Sequence, residues 1–260
     1  MTPSRESKIS GPRMKDGKEV VQPSPEEELR DESTYRQGYS SYTLANHQRR
    51  TAEADAAFLL PHIKKNGPHS RCFAKYATEG MVVGLDISAE VLENAKALAA
   101  DARVPTAGPG SVAFEQGNVL ERLPHPDDTF DIVYCSQVLG HIPSSDLVIQ
   151  ALIEMRRVLN PGGILASREA AAQHFWPKSL DLDRLWVQNP QGPCARDMPA
   201  LVRIAGFDVG RGKVRVGAGT SLCAGLEARK WIAWRAAGQL KPGDPFRQSW
   251  LDAGITEDEI

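Results

Sequence analysis

The sequence predicts an α/β fold with a doubly wound, mostly parallel sheet. Apolar runs with strand character occupy residues 81–87, 112–118, 130–138 and 164–170. Helical patterns and turns separate these runs, and alternation of this kind is typical of parallel sheets with crossover connections. A second observation is that the first run, MVVGLDI, ends on an acid, as a buried strand does when it carries a polar side chain to the sheet edge.

The first helix after this strand has clear start signals. Ser88 is a good N-cap and Glu90 places negative charge in the first turn. A second helix is predicted from Ser145, which we expect to cap it, and its apolar face ends at Leu159. The segment 160–163, Asn-Pro-Gly-Gly, is predicted to be a turn before the fourth strand.

The C-terminal part predicts a short helix over 199–206, an antiparallel hairpin from 209–217 and 220–225, and an amphipathic helix over 226–237. An antiparallel hairpin is compatible with an otherwise parallel sheet. The predicted fold is therefore a mixed sheet that closes on a hairpin.

The first strand expected of such a sheet is missing. Only Asn66 to Ser70 stand between Lys65 and Arg71, whereas a strand of about five or six residues with its glycine-rich loop needs roughly a dozen or more. The segment 188–199 is irregular, and a capping box at 256–259 comes directly before Ile260. These breaks predict a degenerate gene or a misread frame.

Composition along the chain predicts three regions. Residues 1–33 are poor in large apolar side chains and predict a disordered tail. Residues 34–240 predict one catalytic domain, with a helical lid at 34–65 in which Pro61 restricts helix to short pieces. Residues 241–260 predict a truncated C-terminal segment.

Charge and cysteine content favour small-molecule chemistry. The net charge is -2 without a run of basic residues, so no nucleic-acid or membrane partner is expected. The four cysteines are far apart and predict neither a disulfide framework nor a metal site. With no signal peptide or spanning segment in view, we expect a cytoplasmic protein. The oligomeric state stays open.

Polar residues follow three of the predicted strands: Asp86, Asn118, and Ser136 with Gln137. Ligands of open α/β sheets bind beyond the carboxyl ends of the strands. A carboxylate such as Asp86 suits a ribose diol, although a capping role fits equally well. Asn118 suits an adenine edge or, more often, an Asx-turn.

Three segments, MVVGLDIS, GNVLERLPHPDDTFDIVYCSQVLGHIP and ALIEMRRVLNPGGIL, resemble successive motifs of class I S-adenosylmethionine-dependent methyltransferases. The resemblance covers roughly residues 34–240 and is to the group similar to ubiquinone and menaquinone biosynthesis enzymes, which is common among fungal small-molecule methyltransferases. It implies a Rossmann-like fold and S-adenosyl-L-methionine as cofactor. The glycine motif that this family carries after its first strand has no counterpart here.

The resemblance also implies roles for single residues. Asp86 would hold the cofactor ribose, and Ile87 would pack on the adenine. Asn118 with Val119 would meet the adenine edge, although the family usually has Asp at the first of these positions. Ser136 and Gln137 would flank the methionine part.

The lid and the loop after the third strand supply further candidates. The segment YRQGYSSYTLANHQRRTAE resembles the family's lid, which makes Tyr39, His47 and Arg50 candidates there. His141 stands where the family often has a residue facing the substrate, as a general base or to orient the acceptor. Each of these residues also has an ordinary structural interpretation, as a surface or capping residue.

The expected function is methyl transfer to a small molecule, as in tailoring steps of secondary metabolism, with the activity of this chain reduced by the missing motif. A non-catalytic relative that binds a partner through Trp231, Trp234 and Trp250 is the alternative. A nicotinamide-dependent dehydrogenase ranks last because the sequence has no G-x-G-x-x-G run.

Overall fold

A computed structural model describes residues 14–15, 18–19, 38–63, 73–170, 172–188, 197–220 and 222–260. The chain divides into two units, Met1–Thr34 and Tyr35–Ile260. In the first unit, strands β1 (Met14–Lys15) and β2 (Lys18–Glu19) pair antiparallel. The rest of the tail predicted over residues 1–33 lies outside the described residues.

The second unit alternates strands and helices as predicted. Its strands are β3 (Met81–Asp86), β4 (Ser111–Gln116), β5 (Phe130–Ser136) and β6 (Leu159–Arg168). Its helices are α1 (Ser41–Gln48), α2 (Ala52–Asp55), α3 (Ala89–Asp101), α4 (Ser145–Val158), α5 (Leu182–Gln188), α6 (Met198–Ile204), α7 (Leu226–Gln239) and α8 (Pro245–Asp252). Among the described residues, no helix is long and apolar enough to cross a membrane.

The four strands of this unit form two separate parallel pairs. β3 pairs with β4 from Met81 opposite Ser111 to Asp86 opposite Gln116. β5 pairs with β6, ending with Ser136 opposite Arg168. The parallel pairing confirms the prediction, but no ladder within the described ranges joins the two pairs. The segment 66–70, where the missing strand was expected, lies outside those ranges.

Serine side chains begin the two longer helices next to these strands. The Ser88 hydroxyl accepts a hydrogen bond from the Val91 amide at 3.4 Å, as its N-cap signal predicts. In α4 the cap is Ser144, whose hydroxyl accepts from the Leu147 amide at 3.3 Å. The prediction that Ser145 caps this helix was wrong by one residue, because two successive serines both satisfy the capping pattern.

The Asn-Pro-Gly-Gly segment lies inside β6 rather than before it. The strand begins at Leu159, and its register with β5 shifts between Phe130 and Ile132 to accommodate the extra residues. A Cβ atom at Gly163 would lie 2.9 Å from the carbonyl oxygens of both Asn160 and Asp131. The predicted turn is therefore a glycine-dependent bulge in the ladder.

The main core lies around α4. Its buried members are Cys135, Leu139, Ile142, Val148, Ala151, Leu152, Met155, Leu201 and Ala205. They come from β5, the loop after it, α4 and α6, so this core supports the carboxyl end of the second strand pair.

The segment before the first strand pair covers the other face of β5 and β6. Pro61 falls in a short 3-10 helix, Leu60–His62, and α2 is four residues long, which confirms the prediction of short helical pieces. Leu59 and Ala56 pack against Ala166 of β6. The Tyr134 hydroxyl donates to the Asp55 carbonyl at 3.2 Å, which fixes this segment on β5.

The predicted C-terminal hairpin was wrong. Residues 209–220 and 222–225 form no strand, and Val216 and Leu222 are 80% and 83% exposed. Five glycines interrupt this stretch, and glycine weakens a strand because it costs backbone entropy and packs no side chain. The apolar residues that suggested strands do not reach the core.

Residues 241–260 contain a helix that the sequence reading did not predict. Helix α8 buries Phe246 and Trp250, which pack with Leu185 and Ile255. The capping box at Thr256 is present, and it starts a 3-10 turn over Glu257–Glu259. Trp250 is therefore a core residue, which removes it from the exposed tryptophans of the partner-binding alternative.

Candidate active site

The carboxyl ends of β3 and β4 bring two predicted ligand-binding residues to one edge. The Gly117 amide donates to the Asp86 carbonyl at 3.0 Å, which extends the ladder to the start of the loop containing Asn118. The Asp86 carboxylate accepts from the Ser88 amide at 2.9 Å. The Asn118 amide oxygen accepts from the Leu120 amide at 2.9 Å. Both side chains therefore stabilise the turns that follow their strands.

These contacts correspond to the capping and Asx-turn interpretations of the two residues. Each acceptor bond uses one oxygen atom, and it fixes the side chain at the sheet edge where a ligand would bind.

The two neighbouring candidates, Ile87 and Val119, differ in burial and packing. Ile87 is half-buried, whereas Val119 packs against the core around α4 and so has a structural role.

The end of β5 has an unusual backbone. Gln137 has a φ of 56°, in the left-handed region that non-glycine residues seldom adopt. Its amide and its side-chain nitrogen both donate to the Arg168 carbonyl, at 2.9 Å and 3.3 Å. Backbone of this kind is concentrated at functional sites, and here it ends β5 immediately after Ser136.

Glu169 is a site residue that the sequence reading missed. Its carboxylate accepts from the amides of Val138 and Leu139 at 3.3 Å and from that of Gly140 at 3.4 Å. Glu169 thus holds the loop after β5 from the end of the neighbouring strand β6. The signal was available, because Glu169 is an acid at the end of a predicted strand, as Asp86 is.

Burial raises the pKa of Glu169, and the three backbone amides act against that rise by stabilising the charged form. The side chain is half-buried, and both of its oxygens accept from backbone amides. It therefore acts mainly as a hydrogen-bond acceptor that shapes the 138–140 loop.

His141 closes this loop and lies close to the lid. It ends the 3-10 turn Leu139–His141. Burial lowers the pKa of His141 to about 4, and the charge of Arg50 adds to the effect. Burial also lowers the pKa of His47 to about 4, followed in effect by Arg50, His141 and Arg235. The charge of Arg50 acts on both histidines, so these three residues lie near one another, and both histidines are neutral at pH 7.

A buried hydrogen bond fixes the lid helix α1 against α7. The Gln239 side-chain amide donates to the Thr43 hydroxyl at 2.8 Å, and both residues are 1% exposed. At Gly238 the two helices are so close that an added Cβ would collide with the Tyr42 ring. Tyr39 is half-buried just before α1. This contact fixes helix α1, which carries His47.

The described residues match one part of S-adenosylmethionine better than another. Asp86 offers a fixed carboxylate for a ribose diol at the end of β3. For the methionine part, the family's glycine motif is missing from the sequence, and no ladder among the described residues joins the strand pair with Asp86 to the pair with Gln137. The chain therefore keeps the acid that the resemblance assigns to the ribose but not the glycine motif.

Comparison with known proteins supports the same chemistry. A methyltransferase domain family model matches residues 66–167. The chain is 53% identical over 249 residues to a probable methyltransferase, ltbC, of Aspergillus luteorubrus, covering 88% of this chain and 87% of that one. It is 30% identical over 221 residues to an uncharacterized methyltransferase, C1B3.06c, of Schizosaccharomyces pombe, covering 78% of each.

Both alignments include positions at which this chain has no residue. The alignment with ltbC runs over 249 positions, but 88% of 260 residues is about 229, so about 20 positions have no residue here. The same comparison for the Schizosaccharomyces pombe protein, 221 positions against 78% of 260 or about 203, gives about 18. These totals are similar to the length of the strand and loop that the sequence lacks between Lys65 and Arg71.

Solved structures resemble the chain more distantly. The crystal structure of YcgJ from Bacillus subtilis is 22% identical and covers 68% of each chain, with a TM-score of 0.44.

Proposed function

The chain belongs to the class I S-adenosylmethionine-dependent methyltransferases, and we propose that it is adapted to methylate a small molecule. The proposed role is a tailoring step of secondary metabolism, carried out in the cytoplasm with S-adenosyl-L-methionine as methyl donor. We further propose that the missing glycine cradle makes this chain a weak enzyme.

Several relatives support a small-molecule acceptor through the activities that their names state. One is a 27-O-demethylrifamycin SV methyltransferase of Amycolatopsis mediterranei, 39% identical over 90 residues. Others are demethylmenaquinone methyltransferases of Listeria species, 40% identical over 88 residues. These alignments cover about a third of each chain, so they support the acceptor class only in general terms.

The observation that carries the proposal is the neutral pair formed by His47 of helix α1 and His141 of the loop after β5. His141 is positioned by the loop that Glu169 holds, and His47 is positioned by the docked helix α1. A neutral imidazole can accept the proton that a hydroxyl, thiol or amine acceptor loses. Methyl transfer depends mostly on the alignment of donor and acceptor, and a loop that fixes His141 meets part of that requirement.

The test is an assay of methyl transfer from labelled S-adenosylmethionine to phenolic, thiol and amine acceptors, with the chain and its His141→Gln variant. We expect His141→Gln to lower kcat by roughly 100-fold or more and to remove the limb of the pH profile that the histidine produces. His62→Gln, at an exposed histidine of the Leu60–His62 turn, is the matched control. Equal kcat values for all three proteins would reject the role of His141.

One observation favours a second candidate function. The separation of the two strand pairs and the missing glycine cradle are what a non-catalytic relative would have. Such a protein would act as a binding or scaffold protein. Titration of the chain with S-adenosylhomocysteine separates the two candidates, because a weak enzyme binds it measurably and a non-catalytic relative does not.

A further inference from the structure

A groove of about 630 Å³ lies between α1, α3 and α7, outside the strand-end site. Its lining comprises Ala45, Gln48, Arg49, Leu98, Trp231 and Trp234. The volume is within the range of roughly 300 to 1,000 Å³ that is usual for small-molecule sites. The groove is wide open, and Leu98 and Trp234 are 53% and 49% exposed, so its apolar surface is in contact with water.

Aromatic rings on one side of the groove are held in place by their neighbours. The Tyr42 ring lies 4.9 Å from the Trp234 ring at an interplanar angle of 55°. The close approach of α1 to α7 at Gly238 leaves Tyr42 little freedom to move away. The indole of Trp234 therefore presents a preformed flat surface, on which an aromatic ligand can stack at small entropic cost.

Cations lie against two of these rings. The Arg49 guanidinium lies 4.3 Å from the centre of the Trp231 ring, and that of Arg235 lies 5.8 Å from the same ring. The Lys241 ammonium donates to the Tyr42 hydroxyl at 3.0 Å. None of the six lining residues is acidic.

Arg49 is the cation best placed to bind a ligand. It is exposed, and within the part of the chain that the structure describes it forms no ion pair with a carboxylate. The Trp231 ring holds the guanidinium at this edge of the groove, and its parallel N–H groups match the two oxygens of a carboxylate. A cation held against an indole beside a second, solvent-exposed indole suits a ligand that is both aromatic and anionic.

The groove adjoins the proposed active site through shared elements. Helix α1 carries His47, and its C-cap residue Arg49, two positions later, lines the groove. On α7, Trp231 lines the groove, whereas Arg235 acts on both the Trp231 ring and His47. A ligand seated on Trp231 is thus close to the lid end of the histidine pair.

We propose that this groove binds the carboxylate-bearing aromatic part of the methyl acceptor, with Arg49 pairing to the carboxylate and Trp231 and Trp234 contacting the ring. This assignment of an acceptor class rests on the proposed function. The expected substrate is therefore an aromatic carboxylic acid, and its neutral ester is expected to bind poorly.

The test is calorimetric titration, supported by quenching of tryptophan fluorescence, with hydroxynaphthoate and its methyl ester. We expect the acid to bind at least about 10-fold more tightly than the ester, because a hydrogen bond to a charged group contributes roughly 1.5 to 3 kcal/mol. Arg49→Gln should abolish that preference, whereas Trp234→Ala should weaken both ligands. Arg229→Gln, at an exposed arginine of the same helix α7, should change neither affinity.

Equal affinities for acid and ester, or an Arg49→Gln variant that keeps the preference, would overturn the proposal. So would sedimentation showing that the protein dimerises and that Trp234→Ala dissociates it, because a second copy would then occupy the groove. Binding is measured without methyl transfer, so the two proposals fail separately. If the acid binds selectively but is not methylated, only the proposed enzymatic activity is refuted. If methylation does not depend on Arg49, only the proposed role of the groove is refuted.

Discussion

The two halves of the second unit, each a parallel strand pair with its connecting helix, differ in how well the helix is packed. Helix α3 buries only Leu92 and β3 buries none of its six residues, with Met81 55% exposed. In the other half, Leu139, Val148 and Leu152 are 0% exposed within one continuous core. Both pairs have parallel ladders and an accompanying helix, so the presence of regular elements does not explain the difference.

The strand that the sequence lacks between Lys65 and Arg71 explains this difference in packing. In a doubly wound sheet the inner strands are covered on both faces and paired on both edges. The pair β3–β4 has the apolar sequence of such a strand, MVVGLD, without the burial that this sequence implies. The contrast teaches that a sequence can retain the pattern of a central strand after losing the neighbour that made it central.

The same division runs through the proposed cofactor site. Asp86 and Asn118 belong to the loosely packed half, whereas Gln137, His141 and Glu169 belong to the well-packed half. The side that would bind the ribose and adenine is therefore the less stable one. The following variants test this contrast, from the largest expected effect to the smallest.

Leucine truncation in each half should produce unequal losses of stability. Leu152→Ala, at a fully buried position, should lower the free energy of unfolding by about 2 to 5 kcal/mol. Leu85→Ala in β3, at a half-buried position, should cost about half of that or less. Urea unfolding followed by circular dichroism measures both. Equal losses would contradict the contrast in packing.

Acid should destabilise the protein through the histidine pair. The folded-state pKa of His47 and of His141 is about 4, below the ordinary 6.5, so the unfolded chain takes up protons in this range that the folded chain does not. Stability should therefore fall as the pH falls from about 6.5 to about 4, by at most about 3 kcal/mol for each histidine. Melting temperatures measured across this range give the slope.

The double variant His47→Gln with His141→Gln should flatten that slope, and a slope unchanged in the double variant would refute the assignment.

The contribution of Glu169 to the pH dependence of stability has the opposite sign. Its raised pKa means that the folded state binds a proton more tightly, so stability falls as the pH rises above about 4.5 and through the folded-state pKa. Glu169→Gln removes this opposing contribution, so stability should depend more steeply on pH in the range where the histidines titrate.

Removal of the Glu169 acceptor should have a smaller effect. Glu169→Ala leaves the amides of residues 138–140 without that partner and should cost about 1 to 3 kcal/mol. Glu169→Gln keeps one acceptor oxygen and should lose less. Hydrogen exchange of the Leu139 and Gly140 amides provides the local measurement. If exchange there is equally slow in the chain and in Glu169→Ala, Glu169 does not hold the loop.

Local signals accounted for most of what the sequence could predict. Ser88 caps α3, Asp86 ends β3, and Pro61 limits the helix near it, because each of these effects acts within a few residues. His47 and Arg50 were lid candidates through the family resemblance, and the charges of Arg50 and His141 both act on His47.

Effects between distant residues were harder to predict. Glu169 accepts hydrogen bonds from amides about 30 positions earlier in the chain. Trp250 lies on a short helix whose apolar pattern spans few residues, and its side chain is buried. The hairpin over 209–225 was predicted from alternating valines, but glycines and exposed basic residues outweigh that pattern. Predicting these features requires knowing which elements pack against which, and local periodicity does not contain that information.

The most direct test of the central claim compares cofactor binding by two proteins. One is the chain itself, and the other carries a strand and a glycine-rich loop inserted between Lys65 and Arg71. Calorimetric titration with S-adenosylhomocysteine should show the insertion variant binding about 100-fold more tightly, the contribution of two or more hydrogen bonds from the restored cradle. Equal affinities for the two proteins would contradict the claim that the missing strand impairs the site.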